Sequence, residues 1–134
     1  MIGVDTNVLI YACDKADPRR QQIALDLVTN AEAGVLLWQV ACEFISASRK
    51  VSNQGFTSTH AWNRLAEFRE LLPLILPSEA ILGRARELHL TRGASFWDAM
   101  ILAACAEAGV EIFYSEDLPG FDHFDGVRII NPFK

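Results

Sequence analysis

The sequence predicts an α/β fold, a small parallel sheet with helices on both sides, and three observations lead there. Short apolar runs alternate with longer amphipathic stretches of helical period. The runs are continuously apolar, without the in-out alternation of a half-exposed strand, as expected of parallel strands covered on both faces. And 134 residues, 51% of them apolar, supply one hydrophobic core without an internal repeat, low-complexity tract or Ser/Gly-rich linker. A single domain over residues 1–134 is expected.

In chain order, the first strand is Ile2–Asp5. The first helix opens with Asp17 as N-cap and Pro18 at its first position, carries Ile23, Ala24, Leu27, Val28 and Ala31 on one face, and stops at Gly34. Val35–Trp38 is the second strand, and a helix follows from about Gln39 to Lys50. Asn53-Gln54-Gly55 separates it from a helix that starts at Thr57 or Ser58 and runs to about Leu72, with Ala61, Trp62, Leu65, Phe68 and Leu72 on one face. Leu74–Leu76 is the third strand. A helix from Ser78 carries Ile81, Leu82, Ala85 and Leu88, and another from Ser95 carries Met100, Ile101, Ala104 and Cys105 up to Gly109. Glu111–Tyr114 is a strand, Pro119-Gly120 a loop, and Arg128–Ile130 the last strand.

Seventeen acidic against twelve basic residues give a formal net charge of −5, which excludes a polybasic nucleic-acid binder. Cys13, Cys42 and Cys105 form no C-x-x-C pair and read as reduced, buried thiols. Met1 leads straight into Ile2-Gly3-Val4 without the pattern of a secretory signal, so a cytoplasmic location is expected. The longest apolar run, Ala99 to Ala106, is far short of the roughly 20 residues that cross a bilayer, so no membrane contact is expected.

Most acids fall on polar helix faces, where charge is solvated; four do not. Asp5 ends the first strand, and the carboxyl ends of parallel strands are where ligands bind; helix capping by Asp5 or Thr6 is the competing explanation. Glu43 lies within the apolar Val40-Ala41-Cys42-Glu43-Phe44-Ile45, where a buried carboxylate needs a cation, a donor or a view of solvent. Asp98 sits among bulky apolar residues in the opening turn of its helix, where a capping pair with Ser95 would also explain it. Asp117 follows the strand Glu111–Tyr114, and ordinary turn chemistry is its alternative. All four can meet at one edge of a parallel sheet. Converging carboxylates repel unless a cation neutralises them, and oxygen donors without His or Cys select Mg²⁺ or Mn²⁺ over zinc. His60, His89 and His123 are scattered and read as surface or packing residues.

Five segments in order carry a resemblance over nearly the whole chain: Val4-Asp5-Thr6-Asn7-Val8-Leu9-Ile10; the Glu43-Phe44 helix; Phe96-Trp97-Asp98-Ala99-Met100-Ile101-Leu102-Ala103-Ala104; Tyr114-Ser115-Glu116-Asp117-Leu118; and Asn131-Pro132-Phe133. The chain resembles the PIN-domain family and, within it, the VapC-type ribonuclease toxins of toxin–antitoxin pairs. The resemblance implies a three-layer α/β/α sandwich in which Asp5, Glu43, Asp98 and Asp117 hold one or two Mg²⁺ or Mn²⁺ ions. Ser115 takes the place of a small hydroxyl residue near the fourth acid, and Asn7 of a supporting polar residue. It further implies endonucleolytic cleavage of RNA leaving a 5′-phosphate, a homodimer, and inhibition by a small antitoxin protein whose C-terminal segment reaches the acidic site.

Asp5 and Asp98 are the expected direct ligands, with Glu43 and Asp117 completing the shell or orienting the attacking water. Residues 49–92 hold seven basic and four acidic residues. Arg49, Lys50 and some of the later arginines (Arg64, Arg69, Arg84, Arg86, Arg92) are therefore expected to flank the pocket and hold the RNA backbone. Trp62, Leu65 and Phe68 are either core or part of a groove for a partner's helix. Other readings stay open: an interaction module on the same scaffold without catalysis, a PIN nuclease of RNA processing or of DNA with no antitoxin, and a Mg²⁺-dependent phosphatase, against which Asn7 stands where a second aspartate would be needed.

Overall fold

A computed structural model describes residues 1–118 and 121–134. Pro119 and Gly120, expected as a loop, lie outside the described residues. The elements are β1 (Ile2–Val4), α1 (Thr6–Cys13), α2 (Pro18–Asn30), β2 (Gly34–Leu37), α3 (Trp38–Ala47), a 3₁₀ segment (Ser48–Gln54), α4 (Ser58–Leu71), β3 (Leu74–Ile75), α5 (Glu79–Thr91), α6 (Phe96–Ala108), β4 (Ile112–Tyr114), β5 (His123–Phe124) and β6 (Val127–Ile130).

The strands order as β3-β2-β1-β4-β6-β5, parallel except for the β5–β6 hairpin. From β1 the chain steps outward to β2 and then β3. Right-handed crossovers put both connections, α1–α2 and α3–α4, on one face. From β3 it returns across the sheet to β4, so α5 and α6 cover the other face and pack on each other. The sandwich expected from the sequence is thus present. The reversal of direction between β1 and β4 leaves a crevice at their carboxyl ends, the usual ligand position in such sheets.

One core fills both interlayer spaces, with Leu9, Leu36, Val40, Phe44, Phe68, Leu102 and Phe113 among its fully buried side chains. Leu102 sits on α6 with no exposed surface, so Leu102→Ala is expected to cost about 2–5 kcal/mol in urea unfolding.

Local chemistry explains most boundaries. Asp17 accepts from the Arg20 amide ahead of Pro18, Thr57 and His60 form a reciprocal capping box, and Gly109 ends α6 in the left-handed region at φ 77°. Several expectations need correction. Gly34 does not stop a helix; α2 ends at Asn30, and Gly34 begins β2, where a Cβ would lie 2.6 Å from Leu72 Cδ2. Trp38 starts α3 rather than ending a strand, and the helix expected to reach Lys50 gives way after Ala47 to 3₁₀ geometry. Trp62 is 59% exposed and Leu82 58%, so neither joins the core face of its helix. Cys42 is exposed, while Cys13 and Cys105 are buried.

Two elements had not been expected. Helix α1 is packed between α2 and α3, and Val8, Leu9 and Ile10 are all buried, which erases the amphipathic period that would have announced it. The β5–β6 hairpin turns on Asp125 (φ 43°) and Gly126 (φ 80°), a two-residue loop with both central residues left-handed. Among the described residues, no helix is long and apolar enough to cross a membrane.

Candidate active site

Asp5 is the first residue after β1 and the N-cap of α1, so both explanations of its position hold at once. Its amide donates to the Tyr114 carbonyl at the end of β4 (2.8 Å), which ties the ends of the two strands together at the crevice. Its carboxylate accepts from the Thr6 amide through Oδ1 (2.8 Å) and from the Ser115 hydroxyl through Oδ2 (2.7 Å). The Ser115 hydroxyl in turn accepts from the Asp117 amide at 3.1 Å, and the Asn7 side-chain amide lies 3.5 Å from that hydroxyl and 3.4 Å from Asp117 Oδ2. Asn7 Oδ1 accepts from the Glu116 amide, so the first turn of α1 grips the loop after β4 from both ends of one side chain.

Glu43 enters from α3, one helix across. The Thr6 hydroxyl donates to its Oε2 (3.0 Å), and Gln39, one turn earlier, donates to its Oε1 (2.7 Å). The same Gln39 amide also reaches the Trp97 carbonyl (3.2 Å), joining α3 to the start of α6. Asp98, half-buried in the first turn of α6, has its amide capped by Ser95, as the capping explanation requires. Asp98 lines the crevice nonetheless. All four predicted acids line one cleft of about 600 Å³, together with Thr6, Asn7 and Gln39.

Among the described residues none of the four carboxylates makes an ion pair. Asp5 is buried, and burial pushes its carboxyl up to about 6, against the opposing hydrogen bonds from Ser115 and Thr6; Glu43 and Asp117 add to the rise. The donor set, carboxylate oxygens with hydroxyl and amide oxygens around them, fits a hard divalent cation. As placed, no three His, Cys, Asp or Glu side chains among the described residues stand close enough to hold a metal ion together.

Arg49 and Lys50 are exposed on the 3₁₀ segment and line the same cleft. The later arginines do not, which corrects the expectation for that group. Arg64 pairs with Glu67, Arg84 bridges Glu107 and Asp125, and Arg92 lies over the rings of Phe121 and Phe124; neither Arg69 nor Arg86 reaches the cleft. Arg20 serves the site from behind: it pairs with Glu116 and Asp17 and stacks on Tyr11 and Phe133.

Thr6, Gln39 and Asp14 were missed from the sequence. Gln39 lies four residues before Glu43 on one helix face, a spacing that signals the pairing. Asp14 lines the cleft mouth, but it accepts from the Ala16 amide and the Gln54 side chain and so belongs to a turn.

The model of the PIN domain family matches residues 2–127. Among solved structures, a toxin-antitoxin complex from Klebsiella pneumoniae contains a chain similar in fold, with a TM-score of 0.69, 20% identity and 98% of each chain covered. No curated protein matches significantly in sequence. With the family match spanning all but the last strand and tail, and the crevice at the β1/β4 reversal carrying the acids, the chain belongs to the PIN domain family.

Proposed function

We propose that this protein is a metal-dependent endoribonuclease and the toxin of a type II toxin–antitoxin pair. The observation that carries the nuclease reading is the cleft itself, which Asp5, Glu43, Asp98 and Asp117 line together, none of them in an ion pair among the described residues, with Arg49 and Lys50 lining it too. PIN domains are generally nucleases, which supports hydrolysis of phosphodiester bonds. The likeness to a chain of a toxin-antitoxin complex supports an antitoxin partner, and we extend the proposal to a homodimer.

Asp5 and Asp98 would hold Mg²⁺ or Mn²⁺, with Glu43 and Asp117 completing the set. Bound there, such an ion lowers the pKa of water and offsets negative charge developing on the phosphate. The chain's own residues do the positioning. Ser115 and Thr6 fix the Asp5 carboxylate, while Thr6 and Gln39 hold both oxygens of Glu43 and so set its angle toward the cleft. Asn7 holds the 115–117 loop against α1, keeping Asp117 in range. Arg49 and Lys50 would receive the RNA backbone beside the acids.

The experiment is cleavage of total and single-stranded RNA by the purified chain with Mg²⁺, Mn²⁺ or excess EDTA, with product ends mapped. Cleavage with metal and none in EDTA, leaving 5′-phosphates, is expected; full activity in EDTA overturns the mechanism. Replacing Arg49 and Lys50 together should reduce the slope of log affinity against log salt by up to about 2, one for each phosphate that a side chain no longer neutralises. An unchanged slope would place the RNA path elsewhere. Mn²⁺ should also raise the melting temperature of the wild type, because an ion that binds only the folded cleft stabilises it.

A further inference from the structure

Beside the acid cleft lies a second hollow of a different character. It has a volume of about 490 Å³ and lies between the start of α3, the end of edge strand β3 and the outer face of α6. Its walls are mostly apolar, with Gln39, Ser78 and Glu107 among them, and two exposed indole rings stand on them: Trp38 at 46% and Trp97 at 63%. Such rings are costly to leave in water and are common where a flat ligand stacks. Trp97 and Gln39 line both the hollow and the acid cleft, so the two spaces share a wall. Gln39 fixes that wall, since its amide donates both to Glu43 and to the Trp97 carbonyl. Phe96 packs edge-on against Trp97, with ring centroids 4.9 Å apart, and steadies the indole.

We propose that this hollow is a nucleobase subsite, in which Trp97 stacks an unpaired RNA base adjoining the phosphate held at the acids. The inference rests on the nuclease reading above and adds to it a place for one base of the substrate. A base in an A-form duplex is stacked and paired and cannot enter, whereas a base in a loop can be splayed onto an aromatic face. The volume lies within the range of small-molecule sites, about 300–1,000 Å³. Ser78 lines the wall and makes no side-chain cap bond to α5, which leaves a hydroxyl for the edge of the base. Charge favours the same occupant. The acids, once neutralised, and the Arg49–Lys50 pair take the phosphates, and the adjoining apolar ring surface takes the part of a nucleotide that carries no charge.

The test measures binding of short single-stranded pentamers, oligo(A) and oligo(U), against an abasic pentamer with the same phosphates. EDTA is present, so no cleavage intervenes; acid repulsion then weakens all three equally and the ratio stays clean. The base-bearing pentamers should bind at least about tenfold more tightly than the abasic one and quench tryptophan emission. Trp97→Ala should abolish that preference and Trp97→Phe should keep most of it, while both show the wild-type Mn²⁺ shift in melting temperature. Equal binding of abasic and base-bearing pentamers overturns the subsite, as does a preference that survives Trp97→Ala. So does a Trp97→Ala chain that loses self-association or protein-partner binding with its base preference intact, because the hollow is then a protein contact. The two proposals fail separately. A Trp97-dependent preference in a chain that cleaves nothing would leave the subsite standing and sink the nuclease, and metal-dependent cleavage without the preference would do the reverse.

Discussion

Asp5→Asn is expected to abolish RNA cleavage and, in the same protein, to raise the stability of the metal-free fold. Asn keeps the shape and can still accept from the Thr6 amide, so the cap of α1 survives. What disappears is the charge. Burial holds the Asp5 carboxyl near 6 against an ordinary value of 3.8, so the folded chain binds its proton more tightly than the unfolded one does. Stability that is present at low pH is therefore lost as pH rises from about 3.8 through about 6, and the full cost remains above that. A shift of this size corresponds to about 2–3 kcal/mol. Urea unfolding in EDTA at pH 7.5 should show Asp5→Asn more stable by that order, with the gap closing toward pH 4. Adding Mn²⁺ should reverse the ranking, because only the wild type gains. A variant as unstable as a core mutant, or one that cleaves at the wild-type rate, would contradict the role given to Asp5.

Ser115→Ala should act through the same carboxylate with the opposite sign. Ser115 is 2% exposed, donates to Asp5 and accepts from the Asp117 amide. Losing it leaves Asp5 with one donor fewer in a buried place, a loss of about 1–3 kcal/mol where Asp5 is charged. The Asp5 carboxyl then rises further, since the Ser115 hydrogen bond is what holds it down. Cleavage should fall about 10–100-fold at neutral pH, in line with the removal of a partner that orients a metal ligand. The acidic limb of the pH–rate profile should move to higher pH, which a merely structural defect would not cause. Raising the pH should restore part of the activity. An unmoved limb would show that the hydroxyl does not govern the charge on Asp5.

The acids were legible in the sequence because each breaks a local rule: Asp5 and Asp117 at strand ends, Glu43 and Asp98 amid apolar helix residues. The structure brings all four to one cleft. Their supports were only partly legible. Asn7 and Ser115 stand within the motifs and the spacing of Gln39 to Glu43 is a local signal, but nothing local shows that Gln39 would also reach Trp97, because that bond spans 58 residues. The arginine cluster misled for a related reason. Charge counted along a segment ignores that Arg64 and Arg84 pair with acids and Arg92 lies over rings, all away from the cleft. Helix α1 escaped notice because Val8, Leu9 and Ile10 are buried in a row and leave no amphipathic period, whereas the hairpin at Asp125-Gly126 had a readable turn that lacked strong strands beside it.

The strand order has a consequence for the chain as it is being made. Asp5 and Asp117 are far apart in sequence, and they meet only because β4 inserts beside β1. While a ribosome is still extending the chain, β1, β2 and β3 can pair, but Asp5 has neither the Tyr114 carbonyl nor the Ser115 hydroxyl to hold it. The cleft therefore closes only once the segment from β4 to Asp117 has been made, and a chain stopped before that segment lacks it.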